Sequence, residues 1–139
     1  MLHIIPIQSK DEQRELAAKF GETFEDRAFA YLAVEEDETG KRLPLGFMQF
    51  TLGCDSAEVI CLREAKGTDD KEAMMILARS AFSFIHRIGL GSVGVKKNAI
   101  NESIAKALCM KDSGDLWRLD LMRYFAMPCG ERTAQNTAR

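Results

Sequence analysis

The chain is poor in the residues that build metal centres, disulfide frameworks and membrane spans. Two histidines, His3 and His86, stand beside four cysteines, Cys54, Cys61, Cys109 and Cys129, and no two cysteines form a CxxC pair. Nothing has the ligand spacing of a zinc site, and no metal is expected. The cysteines read as reduced thiols, three of them acting as small core hydrophobes, in a cytoplasmic protein. Cys54 and Cys61 flank a turn, which leaves a redox pair open if their Cα atoms come within about 7 Å. No apolar run approaches the ~18–20 residues of a membrane span. The start, Met1 to Pro6, lacks the charged region and long apolar stretch of a secretory signal. No membrane partner is expected. Charge of one sign is also missing: the net charge is -2, and basic residues occur as pairs such as Lys96-Lys97 rather than stripes. That gives no general attraction to phosphate backbones, so no nucleic-acid partner is expected. Aromatics make up only 8%, and seven methionines take over part of the packing role.

What is present is an ordinary globular composition, 46% hydrophobic and 29% charged over 139 residues. Split in two, this length would leave halves too small for good cores, so residues 1–129 are expected to form one domain. The segment 130–139 has almost no apolar content and is expected to be a frayed tail.

The order of elements reads clearly. His3–Ile7 is a short apolar strand. Ser9 and Glu12 form a capping box for a helix that turns Leu16, Ala17 and Phe20 to the core and stops at Gly21. Ala28–Glu35 is a strand with Phe29, Tyr31 and Ala33 on one face. A polar turn around Gly40 returns it as Leu45–Leu52, and Gly53 to Asp55 turns again into Ala57–Leu62. After the polar loop Arg63–Asp70, the apolar residues Met74, Leu77, Ala78, Ala81, Ile85 and Ile88 recur at helical spacing. Ile76, Phe82 and Phe84 widen that stripe, predicting a helix buried on most sides and ended by Gly89. Ser92–Val95 is a strand, Asn98 or Asn101 caps a helix with Ile104 and Leu108 inward, and Trp117–Tyr124 is a last strand. This β-α-β-β-β-α-β-α-β order predicts an α/β (α+β) domain: a mixed, mostly antiparallel sheet flanked by helices, in which the strand after the long helix lies parallel to the one before it.

That order, with the strand–loop–helix from Glu58 to Ile85 and the segment Asn98 to Met110, resembles the GNAT superfamily of N-acetyltransferases. The family commonly shows an Asn, a Tyr seven residues on, then Leu-Gly-Phe; here these positions read Asn98, Ala105 and Leu108-Cys109-Met110. The resemblance implies a GNAT-like acyl-CoA acyltransferase fold and acetyl-CoA as co-substrate. It implies that Ile60 and Leu62 lie on the strand edge that pairs with the pantetheine arm. It places Lys66, Gly67, Thr68, Asp69 and Asp70 in the loop that meets the phosphates, and Asn98 beside the cofactor. Glu58 is then the carboxylate that removes a proton from the acceptor amine, directly or through a water.

The residues depart from the family pattern in three places. Aligning the first family glycine with Gly67 puts Glu64 where an Arg or Gln belongs and Asp69 where a second small residue belongs, with Arg63 one position out of register. Asp69 and Asp70 can cap the helix themselves, Asp69 in a box with Glu72, and they set negative charge where phosphates would sit. Lys66 and Lys71 offset part of it. The donor tyrosine is replaced by Ala105; of the only tyrosines, Tyr31 reads as packed in the sheet with its hydroxyl partnered, and Tyr124 lies off the family position. Cys109 stands at a family glycine, with no histidine near it to make a thiolate. Room for only one helix between the first two strands leaves an acceptor pocket that is shallow or completed by a second subunit, so a homodimer is among the expected assemblies. Two readings stay open: acetyl transfer to an amine, or a GNAT-fold binding or oligomerisation module that has lost the chemistry.

Overall fold

The computed structural model describes residues 1–126; the expected tail and Cys129 lie outside them. Seven strands form one sheet in the order β1-β2-β3-β4-β5-β7-β6. The elements are β1 (Leu2–Ile7), α1 (Lys10–Lys19), β2 (Phe29–Glu36), β3 (Arg42–Leu52), β4 (Ser56–Glu64), α2 (Lys71–Arg87), β5 (Ser92–Lys96), a 3-10 turn at Lys97–Ala99, α3 (Glu102–Ala107), β6 (Lys111–Ser113), β7 (Leu116–Asp120) and α4 (Leu121–Ala126). Only β4 and β5 pair in parallel; every other neighbouring pair is antiparallel. The mixed, mostly antiparallel sheet is the one expected.

Local chemistry explains most element ends. Ser9 Oγ accepts from the Glu12 amide at 3.2 Å and opens α1, while Gly21 takes φ +70 after its end. The α1 face carries Leu16 and Ala17 into a small core with Ala30, Leu32, Val34, Phe47 and Cys61, and Phe20 stacks on Phe47 at 5.5 Å. On the other side of the sheet α2 buries Met74, Leu77, Ala78, Ala81, Phe82 and Ile85 against Met48, Phe50, Val59 and Val93. Burial at roughly 25 cal/mol per Å² makes this larger layer the main source of stability.

Several expectations are corrected. The last strand stops at Asp120, whose carboxylate accepts from the Arg123 amide at 3.2 Å; it starts α4, with Leu121 and Tyr124 turned inward. A short strand, β6, precedes it, made of three exposed polar residues and turned by Gly114 at φ +76. Of the two expected candidates, Asn101 is the one that caps α3, accepting from the Ser103 amide at 2.8 Å. Ile88, just past the end of α2, is 48% exposed rather than part of the buried stripe, while every α2 residue from Ala73 to His86 is buried or half-buried, as expected. Of the three cysteines described, only Cys61 is fully buried; Cys54 is exposed and Cys109 half-buried. Cys109 takes φ +63 just after α3, where its amide and that of Met110 close the helix on Lys106 and Ala105 carbonyls. A left-handed residue there is the physical reason a glycine suits the position.

Candidate functional site

The sheet opens between β4 and β5. Their ladder runs from Ser56↔Ser92 through Ala57↔Val93 and Glu58↔Gly94 to Val59↔Val95 and ends there, although β4 continues to Glu64. The departure has two causes. On β4, Val59 faces Phe50 and Cys61 faces Gln49 on β3, so Ile60 is an extra residue in a bulge. The bulge reverses the alternation of β4: Ala57 and Val59 point to the α2 core, Cys61 to the α1 core, and Leu62 back to the α2 core. On the other side β5 stays with β7, pairing Val95↔Trp117 and Lys96↔Leu116, and Lys97 then donates its amide to the Asp115 carbonyl at 3.2 Å. The edge of β4 from Ile60 to Glu64 is left without a strand partner on the β5 side.

Arg63 spans the opening. It lies on the α1 side of the sheet, where its Nε donates to Glu22 Oε1 at 2.6 Å and its Nη2 donates to the backbone carbonyl of Asn98 in the 3-10 turn. Arg63 lies in β4 rather than in the expected loop, and nothing in the local pattern links it to Glu22 or Asn98. Glu58 is exposed on the face away from α2, beside Thr51 and Gly94 in register, and forms no ion pair within 4.0 Å among the described residues. Gly94 leaves space over β5 that the Arg118 guanidinium approaches.

The loop after β4 is short and satisfied by its own groups. Thr68 donates its amide to the Ala65 carbonyl at 3.0 Å with Gly67 at φ +79, a turn that needs a left-handed third residue. A Cβ at Gly67 would meet nothing within 4 Å, so the glycine serves the turn rather than a close approach. Asp70, not Asp69, caps α2: its carboxylate accepts from the Ala73 amide at 3.0 Å. The Glu64 carboxylate accepts from the Asp70 amide, also at 3.0 Å. Two amides at the opening of α2 are thus taken by the chain's own carboxylates. The β4 edge from Ile60 to Glu64 offers backbone groups with no strand partner on the β5 side, and the first turn of α2 has the Asp70 and Ala73 amides already taken by Glu64 and Asp70. Lys66, Thr68 and Asp69 lie beside it on the loop, and Asn98 across the opening.

The two tyrosines face elsewhere. Tyr31 is on β2, two strands or roughly 10 Å from β4, and Tyr124 is 2% exposed with its hydroxyl accepting from Arg79 Nε at 2.9 Å. Ala105 is fully buried. Cys54 and Cys61 are not a redox pair: Cys61 lies five residues inside β4 from Ser56, about 16 Å at strand rise, well beyond disulfide reach. Burial pushes the Cys61 thiol up to about 11, against hydrogen bonding from Gln49. With its folded pKa above the unfolded value, Cys61 adds stability that is complete below pH ~9 and is lost as pH rises toward 11. In native protein at pH 8 a maleimide therefore modifies Cys54 rapidly and leaves Cys61 untouched, and the stability gap between wild type and Cys61→Ala narrows from pH 8 to 11; modification of Cys61 without unfolding would contradict the burial argument.

No family model matches the sequence, and no curated protein matches it. Solved structures do match in fold. A domain from Methanocaldococcus jannaschii aligns at TM-score 0.66 and 11% identity, over 86% of this chain and 98% of that one. The ribosomal-protein-S18-alanine N-acetyltransferase from Escherichia coli aligns at 0.64 and 9%, over 87% and 94%. The AtaT toxin, in a structure with the C-terminus of its antitoxin AtaR and acetyl-CoA, aligns at 0.62 and 18%, over 90% and 96%. At these identities the likeness is one of architecture, and with the opened β4–β5 pair it is the one the sequence resemblance implied. The chain has the fold of the GNAT N-acetyltransferases.

Proposed function

We propose that this protein binds an acyl thioester carrier of the coenzyme A type along the open edge of β4 and transfers the acyl group, acetyl in the first instance, to an amine. The observation that supports it is the end of the β4–β5 ladder at Val59↔Val95 with five more residues of β4 beyond. Unpaired backbone groups from Ile60 to Leu62 suit the amides of a pantetheine arm, and an amide at the bulge suits the thioester carbonyl. When bound, the carrier supplies an activated acyl carbon. Glu58, exposed at the start of the opening, accepts the proton of the incoming amine through water. Lys66 and Lys71 offset the carboxylates at the α2 terminus. The leaving thiolate finds no tyrosine here and takes its proton from solvent.

A second reading, a module of this fold without acyl transfer, is favoured by one observation: Glu64 and Asp70 already take two of the amides at the α2 opening and place their negative charge there. The two readings divide on an assay of acetyl-CoA with an N-terminal-alanine peptide, a polyamine and an aminoglycoside, following thiol release. Turnover with any amine, lost in Glu58→Gln, supports the enzyme; binding without turnover across the panel supports the module. Carboxylate competition also has a measurable size. A charge at a helix N-terminus is worth about 0.3–1 kcal/mol, so Glu64→Gln is expected to tighten acetyl-CoA about 2- to 5-fold by calorimetry. An unchanged affinity would show that the cofactor avoids this terminus.

A further inference from the structure

A second cleft lies away from the β4–β5 opening, between the edge strand β1 and the outward face of α2, with a volume of about 540 Å³. That is within the range of small-molecule sites. It owes its chemistry to a stripe at helical spacing on α2: Ile76, Arg79, Ser80, Ser83 and Arg87 all line it. Tyr31 adds a hydroxyl, Ile4 and Phe125 add apolar wall, and among the described residues no acidic one lines the space. Among the described residues neither Arg79 nor Arg87 forms an ion pair within 4.0 Å, in a chain whose net charge is negative. Two cations facing one cavity without a carboxylate between them repel each other, an arrangement that an anion relieves.

The geometry holds the donors in place. Arg79 Nε is fixed by the buried Tyr124 hydroxyl at 2.9 Å, which leaves its two terminal amino groups to face the cleft. Arg87 Nε rests on the Ser83 carbonyl at 3.4 Å, one turn away. Ser80 spends its proton on the Ile76 carbonyl at 2.9 Å, so the hydroxyl donors for a ligand are Ser83 and Tyr31. Half-burial raises the Tyr31 pKa, with Arg87 pulling it down less strongly, so the phenol keeps its proton at neutral pH. The two arginines are eight positions apart, about 12 Å along the helix, and their long side chains can close on one group from opposite ends.

We propose that the β1–α2 cleft binds a small organic anion, its phosphate or carboxylate head held by Arg79 and Arg87 and its apolar body laid against Ile76 and Phe125. It is independent of the acyl-transfer reading, since β2 and β3 separate β1 from β4. Titration by calorimetry or 1H–15N NMR with phenyl phosphate, inorganic phosphate and benzyl alcohol tests it at constant ionic strength. The expected results are saturable binding of phenyl phosphate, weaker binding of inorganic phosphate, no binding of the alcohol, and at least tenfold weakening in Arg87→Gln. Because Arg79 also anchors Tyr124, Arg79→Gln is read by affinity in the folded protein rather than by stability, and Arg14→Gln on α1 serves as a surface control that leaves binding unchanged. Absence of saturable phenyl phosphate binding, or equal affinity in Arg87→Gln and wild type, would overturn the proposal.

Discussion

Gln49→Leu is expected to melt roughly 10 °C below the wild-type protein. Gln49 is fully buried on β3, and every hydrogen-bonding position of its amide is used. Its oxygen accepts from Gln13 Nε2 at 2.8 Å and from the Glu25 amide at 3.4 Å; its nitrogen donates to the Thr23 carbonyl at 3.0 Å and to Cys61 Sγ at 3.5 Å. Gln13, itself 1% exposed, donates also to the Glu25 carbonyl and accepts from Lys10 Nζ. Leucine fills similar space and strands these groups without water. Each orphaned group costs about 1–3 kcal/mol, and a total near 3 kcal/mol converts to this shift at roughly 2–8 °C per kcal/mol. The network ties the segment between α1 and β2 to the sheet, and that segment carries Glu22, the partner of Arg63 beside the opening. Thermal melts of Gln49→Leu and of the double variant with Gln13→Leu check this. The double variant recovers part of the loss, because the buried amide no longer lacks a partner; a single variant within 2 °C of wild type would refute the network.

Gly46→Ala is the second large effect, and it acts directly beneath the site. Gly46 stands in register with Glu64 at the end of β4. An added Cβ would lie 2.5 Å from Met74 Sδ, 3.1 Å from Met74 Cε and 3.3 Å from the Arg63 carbonyl. Met74 is 1% exposed, so its flexible thioether end yields only by repacking among buried neighbours, and the Arg63 carbonyl belongs to the strand that borders the opening. Overpacking of this kind costs typically 1–3 kcal/mol; about 2 kcal/mol is expected, read by denaturant melts. Gly46→Ala combined with Met74→Ala should be less destabilised than the sum of the single changes by about 1 kcal/mol. Simple addition would mean that the backbone, not Met74, takes up the strain.

The elements that sequence reasoning found are those with a local signal. The Ser9 cap, the apolar stripe of α2 and the two hairpins are set by neighbours within a few residues, and the parallel placement of β5 follows from the helix that crosses before it. The features that make the site have no such signal. The bulge at Ile60 carries no glycine or proline, and the alternation of Val59, Cys61 and Leu62 looks like an ordinary buried strand. Nothing in the local sequence around Gln13 or Gln49 shows that they meet. Arg63 finds Glu22 and Asn98 only once β4 has turned over at its bulge. The α2 stripe marks the buried sides of the helix but carries no sign that Arg79, Ser80 and Ser83, half-buried like Ile76 and Phe84, line a second cleft. At the α2 terminus the pattern put carboxylates at the helix opening, but not which one caps and which one takes the Asp70 amide.

The whole account depends on β4 and β5 parting after Val59. Residue-resolved amide exchange, with and without saturating acetyl-CoA, tests that most directly. Without ligand, the amides of residues 60–64 that point away from β3 are expected to exchange far faster than those of 57–59, and acetyl-CoA is expected to slow them selectively. Slow exchange along the whole of β4 in the free protein, or fast exchange at 60–64 that acetyl-CoA leaves unchanged, would contradict the assignment of this edge as the place where a thioester carrier binds.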